Sequence, residues 1–123
     1  RSMFRIAKEI ANKHGSKFIV TGEILGEQAS QTLDNLYVIN QITDDIPIIR
    51  PLIGYNKLDV IQLSQKLGFY DISLMEENPC TYNPKYPETR ARLKNIQLEE
   101  KKLDFEAIKE KIVQEITYKD FVP

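Results

Sequence analysis

The chain has 123 residues, 41% of them hydrophobic and 28% charged, with 17 Lys or Arg against 18 Asp or Glu for a net charge of −1. That composition excludes a disordered or fibrous chain, and the length suits one compact domain or part of a larger one. One cysteine, Cys80, excludes an intrachain disulfide framework and a multi-cysteine zinc site, so no metal centre is expected and a reduced, cytoplasmic setting fits best.

In chain order, residues 2–14 read as a helix: Met3, Ile6, Ala7, Ile10 and Ala11 make one stripe, Ser2 can cap it and Gly15 follows its last turn. Phe18-Ile19-Val20 is a short apolar run without alternation, which predicts a strand of a parallel sheet buried on both faces. It leads into Thr21-Gly22-Glu23. Residues 28–42 read as a second helix with Ala29, Thr32, Leu33, Leu36, Ile39 and Ile42 inward. Ile46 to Ile53 reads as a second buried strand interrupted by prolines. A third helix begins at Asn56 with Asp59 in capping-box position, has Val60, Ile61, Leu63, Ser64 and Leu67 on its inner face, and ends at Gly68. Residues 69–75 could add a short strand. Glu76 to Pro87 holds three prolines, two asparagines and the cysteine and reads as a loop. Residues 88–103 and 105–116 look helical. No run approaches the roughly 18 apolar residues of a membrane span, so no membrane is expected. No signal peptide is visible, and a first residue other than Met suggests a fragment, a processed chain or a trimmed one.

Alternating helix and strand predicts an α/β fold, in which ligands sit beyond the carboxyl ends of the strands. Thr21-Gly22-Glu23 and the stretch after Arg50 occupy those places. Glycines at a strand-to-helix turn let a ligand approach the backbone, although an ordinary turn explains them equally. There is neither a Gly-Lys-Ser/Thr P-loop nor a GxGxxG fingerprint. Gln31, in Ser30-Gln31-Thr32, could offer its amide to a base edge or merely occupy a solvated first turn. Cys80 sits in Asn78-Pro79-Cys80-Thr81-Tyr82, where basic neighbours would favour a thiolate. The single histidine, His14, ends the first helix and is not expected to pair with it. A cysteine without a histidine suits sulfur transfer better than proteolysis. Residues 1–17 carry a net charge of +4 and residues 80–102 a net of +3. These segments could meet a polyanion or be two solvated helix faces.

Thr21-Gly22-Glu23, Leu25-Gly26, Ala29-Ser30-Gln31-Thr32-Leu33, Asn35-Leu36, Arg50-Pro51-Leu52-Ile53-Gly54 and Pro84-Lys85-Tyr86-Pro87-Glu88-Thr89-Arg90 resemble, in order, the ThiI family of tRNA 4-thiouridine synthases, also called tRNA sulfurtransferases. The resemblance runs from about Arg1 to Asp104. It implies a Rossmann-like PP-loop ATPase fold, related to the adenine nucleotide alpha hydrolases, with a parallel sheet and flanking helices, here a partial domain spanning residues 1–123. It implies a reaction in which ATP, with Mg2+, adenylates uridine 8 of tRNA and a persulfide sulfur then displaces AMP. Gly22 and Gln31 match nucleotide-contacting positions, Thr21 and Glu23 flank them, and Cys80 matches the sulfur-transferring cysteine. Lys85, Arg90 and Arg92 are then expected to face tRNA. The implied partners are tRNA, a persulfide donor such as a cysteine desulfurase, and a sulfur-carrier protein or a second copy of the chain. Family members also supply sulfur for the thiazole of thiamine. The family's SGGxDS-type pyrophosphate loop and its ferredoxin-like and THUMP parts are absent from the sequence, so the piece alone is expected to be inactive. Some relatives carry two adjacent cysteines where this chain has Pro79-Cys80. The alternatives are another PP-loop ATPase with a different acceptor, or a non-catalytic RNA-binding or scaffolding module.

Overall fold

The computed structural model describes residues 1–43, 45–75 and 84–117. Helix α1 (Ser2–Lys13) leads to β1 (Ile19–Val20), α2 (Leu33–Asn40), β2 (Ile48–Ile49), α3 (Lys57–Lys66), α4 (Tyr70–Ser73), α5 (Leu93–Glu100) and α6 (Phe105–Glu115). The two strands are parallel, with Ile19 opposite Ile48 and Val20 opposite Ile49. The ladder continues at both ends, because Ile19 N–H donates to the Pro47 carbonyl and Thr21 N–H to the Ile49 carbonyl, each at 3.0 Å. The α/β reading with a parallel sheet therefore holds.

Local chemistry explains the helix ends. Asn56 and Asp59 form a reciprocal capping box at the start of α3. Asp104 caps α6, and its carboxylate accepts from Ala107 N–H. Gly15 and Gly68 adopt positive φ of +66° and +76° just past α1 and α3, a conformation that costs glycine little. At α1 the expectation fails in detail: Ser2 lies inside the helix, Arg1 takes the cap position, and no side chain caps it.

Other departures follow from specific hydrogen bonds, two local and one set tertiary, that override the apolar pattern. Residues 28–31 form a turn, and α2 begins only after Thr32, whose hydroxyl accepts from Asn35 N–H at 3.3 Å. Leu33 then points outward, while Asn35, Leu36 and Val38 are buried. Residues 70–73, expected in a strand, are helical: Ser73 N–H and Oγ both donate to the Phe69 carbonyl. The helix expected from residue 88 starts at Leu93, because Glu88 and Ala91 are held by Asn35. The buried core among the described residues is Ala11, Leu36, Val38 and Ile46. The expectation of strands buried on both faces is not met within this chain, since Val20 is 57% and Ile49 44% exposed.

Candidate functional site at the strand ends

The carboxyl ends of β1 and β2 converge. Arg50, the residue after β2, donates from Nε to Glu23 Oε2 at 2.6 Å, and Thr21 Oγ1 donates to the same oxygen at 2.9 Å. Arg50 and Glu23 are both largely buried. Arg50 Nη2 is buried with no partner among the described residues. Glu23 is thus a neutralised structural anion that fixes the two strand exits. Leu25 N–H donates to the Ile53 carbonyl at 3.1 Å, extending that connection one turn further.

Gly22 lies between Thr21 and Glu23, and a Cβ built on it would meet no atom within 4 Å. The space over this backbone is open, as a ligand pressing on a strand end requires. The chain then folds back on itself: Gly26, at φ +78°, donates its N–H to the Gln31 carbonyl at 2.8 Å. Gln31 Oε1 accepts from Gln28 N–H at 3.3 Å, which leaves the Nε2 donors without a partner among the described residues. Gln31 is half-buried. Open backbone at Gly22 and an oriented amide at Gln31 suit a flat, polar-edged group such as a nucleotide base.

Asn35, part of the resemblance but given no role in the sequence analysis, is a buried junction beside these residues. It is 7% exposed, and its Nδ2 donates to the Ser30 carbonyl at 2.8 Å and the Glu88 carbonyl at 2.6 Å, while Oδ1 accepts from Ala91 N–H at 2.9 Å. Thr32 Oγ1 adds a bond to the Thr89 carbonyl at 2.7 Å. The signal was an asparagine beside Leu36 on a helix whose other inward positions are apolar. Because of these bonds, the segment carrying Lys85, Arg90 and Arg92 lies against the turn that carries Gln31. Lys85, Arg90 and Arg92 are exposed and have no ion-pair partner among the described residues. Lys85 Nζ sits 5.5 Å from the Tyr86 ring centre. Glu88 Oε1 accepts from Arg90 N–H at 2.8 Å and shapes the backbone there. Cys80 lies outside the described residues.

The amino-terminal basic segment behaves differently. Arg1 and Arg5 each fork onto Glu100, with contacts of 2.6 and 3.0 Å from Arg1 and 3.0 and 2.7 Å from Arg5. Arg1 Nη1 also donates to the Val38 carbonyl at 2.5 Å, and the Arg5 guanidinium lies 4.9 Å from the Phe105 ring centre. The Arg1 and Arg5 guanidinium groups beside Glu100 hold its carboxyl at about 2. Lys8 pairs with Asp45, and Lys109 pairs with Glu106 at 2.6 Å. An open cleft between α1 and α6 is lined by Arg1, Arg5, Lys8, Glu106 and Lys109. The two basic segments do meet, but Arg1 and Arg5 are spent on Glu100 and form no free cationic face.

A family model described as "Thiamine biosynthesis protein (ThiI)" matches residues 1–105. A curated protein of Caldanaerobacter subterraneus subsp. tengcongensis named "Probable tRNA sulfurtransferase" is 40% identical over 118 residues, covering 94% of this chain and 31% of that protein. One of the same name from Finegoldia magna is 42% identical over 110 residues, covering 88% of this chain and 28% of that protein. The chain thus spans under a third of the length of these relatives. Among solved structures, a 4-thiouridine synthetase in complex with RNA and with bound ATP superposes with a TM-score of 0.83 at 34% identity, covering 93% of this chain and 30% of that one. Among the described residues no helix is long and apolar enough to cross a membrane.

Proposed function

The chain belongs to the ThiI family, and from that membership we propose that it is the C-terminal part of the PP-loop domain of a tRNA sulfurtransferase. The pyrophosphate loop and the THUMP region then belong to other parts of the same protein. The whole protein uses ATP with Mg2+ to adenylate uridine 8 of tRNA. The terminal sulfur of a Cys80 persulfide attacks C4 of the activated uridine and displaces AMP, and a further thiol then takes Cys80 into a disulfide and releases 4-thiouridine. Cys80 is the sulfur-handling nucleophile, and a cysteine desulfurase is the class of donor that loads it. A sulfur-carrier protein, a homodimer and a cytoplasmic setting are consistent with this chemistry.

The observation that carries the reading is the open backbone at Gly22 just past β1, followed within a few residues by the Gly26–Gln31 fold-back that carries the half-buried amide of Gln31. These two residues line the adenine side of the nucleotide. Glu23, committed to Arg50, supports that turn rather than touching phosphate, and Thr21 orients Glu23. The uncovered strand positions Val20 and Ile49 support placement of this piece within a larger domain.

The test is AMP release by the whole protein given ATP, tRNA and a persulfide donor. Release that depends on tRNA is the expected result, and Gln31→Ala should raise the ATP concentration required by a few-fold, the scale of a lost hydrogen bond of roughly 0.5–1.5 kcal/mol. RNA binding without any AMP release would favour the scaffolding alternative instead.

A further inference from the structure

We propose that Asn35 is a positioning residue that locks the basic segment around Lys85, Arg90 and Arg92 onto the nucleotide-side turn, so that tRNA is held at a fixed distance from Gly22 and Gln31. The inference rests on the functional reading above. Its own support is geometric. A buried carboxamide bridges three backbone groups, and these come from two chain stretches more than fifty positions apart in sequence: Ser30 on one side, Glu88 and Ala91 on the other.

No other side chain of this length fits the pattern. Two donors face two carbonyls and one acceptor faces one N–H, so aspartate would set a carboxylate against two carbonyl oxygens. Leaving those groups unsatisfied in a buried place is costly, so the strap would detach rather than remain in place. The second tie, from Thr32 Oγ1 to the Thr89 carbonyl, lies on the exposed side of the same junction. Between the tied residues sits Arg90, with its backbone N–H fixed by Glu88. A cation so anchored contacts a phosphate with little further ordering, which is the advantage of preorganisation. Asn35 touches neither nucleotide nor RNA in this scheme; it acts through the strap.

The experiment uses the whole protein with purified tRNA and, separately, ATP. Asn35→Ala should weaken tRNA binding about tenfold, the scale of one lost buried hydrogen bond, and leave ATP affinity within about twofold. Thr32→Val, which removes the outer tie, should shift tRNA binding in the same direction by less and serves if Asn35→Ala folds poorly. A double-mutant cycle then separates positioning from general stability. Arg90→Ala should cost clearly less affinity in the Asn35→Ala background than in the parent, because the strap no longer presents that residue. Strictly additive effects, or equal losses of tRNA and ATP affinity, would overturn the inference. A parent that binds tRNA while both tie variants bind it equally well would overturn this inference alone. A parent that fails to bind tRNA would overturn the functional reading and this inference with it.

Discussion

Arg50 and Glu23, which follow β2 and β1 respectively, meet at 2.6 Å and close the exits of both strands with one ion pair. The pair is largely buried, and removing one partner leaves the other charge poorly solvated. Arg50→Ala in the whole protein is expected to lower stability by roughly 1–3 kcal/mol and to weaken ATP binding, since the Gly22 turn loses its anchor. Urea titration with an unchanged slope, together with calorimetry of ATP binding, checks both effects. An unaffected ATP affinity would separate the pair from the nucleotide site.

Glu100 gives a pH prediction. Its carboxyl falls from an ordinary 4.5 to about 2 because Arg1 and Arg5 both bind the charged form. A depressed folded value means that the stabilisation is fully present above about pH 4.5 and is lost as pH falls towards about 2. Glu100 is partly exposed, so solvent screening limits the contribution to about 1–2 kcal/mol. Unfolding measured at pH 6 and at pH 3 should show a smaller difference for Glu100→Gln than for the parent. Equal differences would remove Glu100 from the acid response.

The free basic segment makes a salt prediction. Each neutralised phosphate releases counterions, so log affinity for tRNA should fall linearly with log salt. Lys85→Ala, Arg90→Ala and Arg92→Ala should each flatten that line, by roughly 0.7–0.9 per contact. Lys102→Ala should leave the slope unchanged, since Lys102 is paired with Glu99 at 2.7 Å. Slopes unchanged in all four variants would mean that the segment is only solvated surface.

Cys80 separates the two chemical halves of the reaction. A hydroxyl cannot carry a persulfide, so Cys80→Ser should abolish thiolation of tRNA while adenylation of the uridine, with release of pyrophosphate, persists. A thiol with basic neighbours should also alkylate readily in the folded protein at neutral pH. Full thiolation by the serine variant would end the nucleophile assignment.

How much of this was readable beforehand differs by element. The Asn56 and Asp59 box and the glycine ends of α1 and α3 depend on residues within a few positions of one another, so the sequence displays them. The parallel pairing followed from two apolar runs separated by a helical stretch. Two features depended on partners distant in sequence, and one on a bond only four residues back. The late start of α5 follows from the hold of Asn35 on Glu88 and Ala91. The helical turn at 70–73 closes on the Phe69 carbonyl, where local apolar residues suggested a strand. Counting Arg1 and Arg5 as free positive charge failed because Glu100, about a hundred positions away, neutralises them. At the site, the family resemblance gave roles to Gly22 and Gln31 but none to Asn35, whose three backbone partners become visible only in the fold.

The central claim, ATP-dependent thiolation of tRNA by the protein that contains this chain, is tested most directly by nucleoside mass analysis of tRNA after reaction. The whole protein is incubated with unmodified tRNA and a persulfide donor, with and without ATP. The account predicts 4-thiouridine in place of the uridine at position 8 only when ATP is present. Its absence with ATP and a loaded donor, or its equal formation without ATP, would contradict the account.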